Sequence, residues 1–118
     1  MAIIDADAHV IETEQTWDFM LEEERRFTPE VLVSKKNGIH FWRVDDRVIA
    51  NSNLGLNVPE DARDLTDVSA RLAHLDALKI DIQVLYPTLF LRPVTARAEV
   101  ELALYRGYNR WLAHIWQL

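Results

Sequence analysis

The run Ile3-Ile4-Asp5-Ala6-Asp7-Ala8-His9-Val10 decides how the rest of this 118-residue chain is read. Its apolar flanks describe an inner β-strand rather than a surface one. Alternation then places Ile4, Ala6, Ala8 and Val10 on one face and Asp5, Asp7 and His9 on the other. Ionisable groups on a buried face are costly unless hydrogen-bonded, solvated or bound to a cation. Asp7 and His9, two residues apart, are spaced to reach one metal ion. An Asp-x-His triplet by itself also suits a turn or a solvated strand end, so the surrounding chain has to decide.

The length fits one ordinary domain with a real core, and a composition that is 49% hydrophobic with three glycines excludes a disordered or fibrous chain. The formal charge of −6 argues against nucleic acid or an anionic membrane as partner, and Arg25-Arg26 and Lys35-Lys36 are isolated pairs rather than a basic run. With no cysteine there is neither a disulfide nor a thiolate metal site. No leader-like segment and no apolar run of membrane-spanning length is present, so the expected location is the cytoplasm.

Beyond the first strand, Trp17, Met20 and Leu21 at spacings of three and four predict a loop running into a short amphipathic helix, which Thr16 could cap and Phe27-Thr28-Pro29 ends. Residues 31–50 are β-rich and predict an antiparallel meander, with a type I′ turn at Asn37-Gly38 and a second turn at Asp45-Asp46. A loop with Asn51, Asn53, Gly55, Asn57 and Pro59 follows, long enough to lie over a site. Val68, Leu72, Leu75 and Leu78 then keep a 3.6 period behind a cap at Asp64 or Thr66. Asp81 to Pro87 is a strand that proline ends, and Thr95 opens a long helix carrying Val100, Leu104, Tyr108, Trp111 and Ile115 on one face. The alternation of strand and helix predicts βα units with a parallel sheet.

Three blocks now look familiar. Ile4-Asp5-Ala6-Asp7-Ala8-His9-Val10 resembles the opening strand of the amidohydrolase-related family, in the branch of aminocarboxymuconate semialdehyde decarboxylase and resorcylate-type decarboxylases. Arg71 to Thr88 resembles that family's first helix and second strand, and Tyr108-Asn109-Arg110-Trp111-Leu112-Ala113 its following helix. The resemblance implies an α/β fold made of the N-terminal βα units of a metal-dependent TIM-type barrel, with the meander 31–50 as an insertion. It implies Asp7 and His9 as the first two ligands of a divalent metal, zinc or in some members manganese, at the C-terminal ends of barrel strands. The metal would polarise substrate or activate water, and the reaction would be hydrolysis or non-oxidative decarboxylation of small, often aromatic acids.

The chain departs from that pattern in two places. Lys79 stands where glycine suits a left-handed helix end, at a cost of roughly 1 kcal/mol if the conformation is kept. The later metal ligands have no counterpart before Leu118, and a catalytic zinc normally has three protein ligands. The expectation is therefore an open, unclosed barrel without a complete catalytic set, needing self-association or a chain that supplies the missing units. The helix ending in Trp111, Ile115 and Trp116 is the expected contact surface. Tyr86 and Thr88 at the end of the second strand and His40 in the meander are candidate substrate-binding residues. His74 and His114 are expected to be ordinary helix-surface histidines, Asp5 a hydrogen-bonding group rather than a ligand, and Trp42 a core residue. The alternative is a non-catalytic oligomerising or regulatory module derived from the same fold.

Overall fold

β1 (Ile4–Val10) pairs in parallel with β5 (Ile82–Pro87), as the strand–helix–strand order requires. The computed structural model describes residues 1–50 and 57–118, so Asn51, Asn53 and Gly55 of the expected site-covering loop lie outside the described residues. Two units are distinguishable: Met1–Glu12 with Asn53–Leu91, and Thr13–Ser52 with Arg92–Leu118.

In the first unit, α1 (Glu60–Arg63) and α2 (Val68–Leu78) join the two parallel strands. The sheet is stitched at its start, where Ile3 N–H donates to Asp81 Oδ2 at 2.8 Å and the Ile3 carbonyl accepts from Asp81 and Ile82. α2 is capped by Asp67, whose side chain accepts from the N–H groups of Ser69 and Ala70. The cap therefore lies one residue past the later of the two expected candidates, because Asp64 is engaged by Arg63 and Thr66 turns back to the Asp61 carbonyl. The expected apolar stripe is also narrower: Arg71 and Leu75 are buried, whereas Leu72 and Leu78 are 57% and 55% exposed.

The end of α2 follows the anticipated geometry. Lys79 adopts φ 59° and ψ 38°, the left-handed conformation that glycine tolerates best, and its N–H closes on Asp76. A Lys79→Gly variant is expected to gain about 1 kcal/mol of unfolding free energy. Chemical denaturation of both proteins checks this, and a loss of stability would contradict it.

The second unit carries the predicted meander as β2 (Glu30–Val33), β3 (His40–Val44) and β4 (Arg47–Ala50), paired β2-β3-β4 antiparallel. The tight turn is not at Asn37-Gly38. Val33 pairs with His40 and Ser34 N–H bonds the Ile39 carbonyl, so a four-residue loop with Gly38 at φ 68° closes that hairpin. The two-residue connection is Asp45-Asp46, between paired Val44 and Arg47, with Asp45 at φ 53°. Asp45 tolerates that value because its carboxylate is held by Thr95 Oγ1 at 2.9 Å and Arg97 Nη1 at 2.9 Å.

The single helix expected after β1 is two 3-10 turns, Glu14–Phe19 and Glu22–Phe27. Thr16 is fully buried within the first, accepting from Thr13 N–H at 3.1 Å instead of opening a helix. α3 (Ala98–Trp116) starts past Thr95, whose Oγ1 accepts from Arg97 N–H. It buries Val100, Ala103, Leu104, Gly107, Tyr108 and Trp111. A Cβ on Gly107 would stand 2.7 Å from Met20 Cγ, so only glycine admits the close approach of the 3-10 segment. Trp42 and Trp17 pack edge to face beneath the meander, both nearly inaccessible. Among the described residues no helix is long and apolar enough to cross a membrane.

Candidate metal centre

The expected single face of three ionisable groups is broken by a bulge. Asp5 pairs with Gln83 but Ala8 pairs with Leu85, so three steps along β1 match two along β5. The extra residue inverts the alternation. Asp5 shares the face of Gln83, and after the bulge that face is taken by Ala8 and Val10. His9, opposite Tyr86, points the other way, on the face of Ile4 and Ile82. Burial follows: Ala8 and Val10 are buried at 7% and 0%, whereas Ile4 is 57% exposed and Ala6 also faces solvent. The strand is thus buried in its second half only.

Asp5 holds the bulge. Its Oδ1 accepts the Asp7 N–H at 3.2 Å, a donor that the disrupted ladder would leave unpaired, and its Oδ2 accepts from Gln83 Nε2 at 2.9 Å. The Gln83 hydrogen bond, then the Asp7 N–H, hold the Asp5 carboxyl below the usual aspartate range. Gln83 Oε1 in turn accepts from Arg71 Nε at 2.9 Å, while Arg71 Nη1 donates to the Ala62 carbonyl at 3.1 Å and Nη2 to the His9 carbonyl at 3.2 Å. Arg71 has lost most of its water, and that desolvation lowers its pKa against the opposing field of Asp5. The bulge, β5 and α2 are therefore tied by one chain of hydrogen bonds that ends on the backbone of His9.

His9 itself is fixed at both ring nitrogens. Nδ1 stands 3.3 Å from the Pro87 carbonyl, which can only accept, so Nδ1 carries a proton. Nε2 is left facing Asp7 Oδ1 at 3.5 Å. A carboxylate and an imidazole nitrogen at that distance are bridged by a proton or by a cation. Ligands of one tetrahedral zinc at about 2.1 Å stand roughly 3.4 Å apart, so the pair has the right span for a shared ion. Asp7 is 91% exposed and His9 22%, which leaves the carboxylate open to solvent and the ring oriented. Among the described residues no third His, Asp or Glu joins them in a metal-holding group.

Tyr86 lines the same depression as Asp7 and His9, of about 310 Å³, with Ala6, Pro87, Phe90 and Leu91 completing it. Its ring centroid lies 6.2 Å from that of His9. Thr88 is elsewhere engaged: it is buried, and its Oγ1 donates to the Val10 carbonyl at 2.8 Å. His40 opens β3 in the second unit and is exposed. His74 lines a separate 250 Å³ pocket with Asp5 and Arg71, and His114 lies against the Phe19 ring, 4.9 Å between centroids.

The sequence reading missed Glu12. It is 3% exposed, and its two carboxylate oxygens accept from Thr88 N–H at 2.9 Å and Leu89 N–H at 3.0 Å, capping the 3-10 turn Leu89–Leu91. Burial pushes its carboxyl above the usual glutamate value, against the pull of those donors. Its position just past a strand that begins apolar was the available signal, because a lone acid there must cap something or face water.

No protein-family model matches the sequence, and no curated protein sequence matches it. Among solved structures the chain is similar to an amidohydrolase of Mycobacterium avium subsp. paratuberculosis K-10, with a TM-score of 0.67 over 98% of this chain at 17% sequence identity. The chain spans 38% of the length of that protein. Its mixed α/β fold is thus similar to part of an amidohydrolase structure.

Proposed function

We propose that the chain is the N-terminal part of a metal-dependent enzyme of amidohydrolase type, acting on small acids by hydrolysis or non-oxidative decarboxylation. The observation that carries this reading is the Asp7 Oδ1 to His9 Nε2 pair, 3.5 Å apart, with the ring turned by the Pro87 carbonyl so that Nε2 faces the carboxylate. Parallel sheets are normally covered on both faces. Here Ile4, Ile82, Val84 and Tyr86 are all 40% exposed or more on the face that carries His9, which is the face a closed barrel would enclose.

A divalent cation, zinc or manganese, fits the donor chemistry of an imidazole and a carboxylate, and when bound it would supply Lewis-acid polarisation of a carbonyl or carboxylate. Asp7 and His9 would hold it, with further ligands coming from other strands of the barrel or from a second chain. Tyr86, Phe90 and Leu91 offer an apolar wall beside the pair, which suits the ring or unsaturated part of a small acid. The narrow donor set favours one other reading, a non-catalytic oligomerising or regulatory module that keeps the fold fragment without binding metal.

Zinc and manganese binding to the purified chain, measured by titration calorimetry, separates the two. Asp7→Ala and His9→Ala are each expected to weaken the affinity by tenfold or more, since even the groups that orient a ligand are worth about 10- to 100-fold. His40→Ala should leave it unchanged. An affinity that survives both site variants, or no binding by the native chain, would remove the metal reading.

A further inference from the structure

α3 carries a second, largely exposed apolar stripe. Ala98, Leu102, Tyr105, Asn109, Leu112 and Trp116 recur at alternating spacings of four and three and fall within about 40° of one line along the helix. That line lies opposite Gly107, the residue pressed against Met20. Leu102, Tyr105 and Trp116 are 58%, 40% and 89% exposed; Ala98 and Asn109 are exposed and Leu112 half-buried. The outward face of a helix packed on one side is normally polar. Trp111, expected to share the contact surface with Trp116, is 5% exposed and belongs to the core stripe instead.

The spacing is that of a heptad seam with an asparagine at its central layer, a residue that fixes register and favours two strands. The flanking charges select the occupant. With Leu102, Asn109 and Trp116 at the first position of each heptad, Glu101 and Arg106 take the positions that face each other across a parallel pair. In a two-fold dimer this gives two Glu101 to Arg106 pairs of opposite sign, one on each side of the seam. An antiparallel pair brings neither residue to an opposite charge. Both residues already have a partner in the chain, Arg106 in Glu24 at 2.7 Å and Glu101 in the Tyr105 hydroxyl at 2.8 Å, but the Arg106 side chain is still 52% exposed and Glu101 keeps its second oxygen for a further bond.

We infer that this face binds a second copy of the chain, α3 against α3, in parallel. The seam runs about 27 Å, short for a stable interface, so the dimer is expected to be weak and to dissociate on dilution.

Sedimentation equilibrium of the 118-residue chain from about 1 to about 500 µM tests this, because assembly follows mass action. A concentration-dependent dimer is expected, and Leu102→Glu should weaken it by roughly 30-fold or more. Glu101→Arg should weaken it too, and the double variant Glu101→Arg with Arg106→Glu should recover most of the loss. As the chain has no cysteine, Leu102→Cys should cross-link to itself under mild oxidation in a parallel pair. In an antiparallel pair residue 102 faces residue 112, and cross-linking would need Leu112→Cys as well. A monomer at every concentration overturns the proposal. So does a dimer indifferent to Leu102→Glu, and so does cross-linking that requires both cysteines. Leu102 and Glu101 do not contribute to the core stripe of α3, so circular dichroism should show their single variants folded; Arg106→Glu also gives up the Glu24 ion pair, and its folding is checked in the same way before the double variant is read.

Discussion

Replacing Arg71 with alanine is expected to destabilise the β1–α2–β5 unit by about 4 kcal/mol, the largest effect of any single substitution considered for this chain. The guanidinium is 8% exposed and makes three hydrogen bonds, two of them to the carbonyls of Ala62 and His9 and one to Gln83. Hydrogen bonds from a charged donor contribute about 1.5 to 3 kcal/mol each, and truncation leaves buried acceptors without partners. Arg71→Lys keeps the charge but not the planar fork, so it is expected to lose about half as much. Leu72→Ala, one residue along the same helix but exposed, should stay within about 0.5 kcal/mol of the parent.

The readout has to be local. All four tryptophans lie in the second unit, so their fluorescence reports that unit rather than the strands. Amide hydrogen exchange of β1 and β5 is the suitable probe, since protection there measures opening of the unit that Arg71 ties together. If β1 and β5 keep their parental protection in Arg71→Ala, the network is decorative and the bulge is held by Asp5 alone.

How far the sequence reveals this arrangement depends on the kind of order involved. Periodicity finds the elements: the parallel β1–β5 pair, the meander over 31–50, α2 and α3 are all visible in spacing and turn chemistry. The left-handed Lys79 is visible only through the family resemblance, whose pattern has glycine at that place. Faces are harder. Period-two reasoning presumes a regular ladder, and one extra residue between Asp5 and Ala8 reverses it, moving Asp5 to the α2 side and leaving His9 on the other. Nothing local in Asp5-Ala6-Asp7 marks a bulge; it follows from partners 78 residues away, Gln83 accommodating Asp5 and the Pro87 carbonyl turning the His9 ring. Arg71 and Glu12 were invisible for the same reason. A charged residue becomes structural only through long-range acceptors or donors, and composition predicts it to be solvated. On α3 the opposite happened: the core stripe is plain in the sequence, and the burial of Trp111 in it is what separates the outward stripe as a surface of its own.

Glu12 supplies the second large expected effect, and its pH dependence has a definite sign. Glu12→Ala should cost about 3 kcal/mol, because the N–H groups of Thr88 and Leu89 lose their acceptors in a buried place and each unsatisfied group costs about 1 to 3 kcal/mol. Glu12→Gln separates charge from hydrogen bonding. Burial, the largest influence on the native carboxyl, raises it above the 4.5 of a free side chain. Between that value and the raised one, the unfolded chain has released the proton and the folded chain still holds it, so stability from this group falls as pH rises through the window. Below the window neither state is ionised and the group contributes nothing; above it both are, and the penalty stays constant. The glutamine variant does not titrate. Its stability relative to the parent should therefore climb from pH 4.5 upward and level off once the native carboxyl is ionised, by about 1.4 kcal/mol for each unit of the shift. Hydrogen exchange of β5 amides across that range reads the difference directly. A parent-minus-glutamine difference that is flat with pH would mean that the two N–H donors fully offset desolvation. Glu12 would then be a neutral cap, rather than a buried charge holding the Pro87–Leu89 backbone that aims His9.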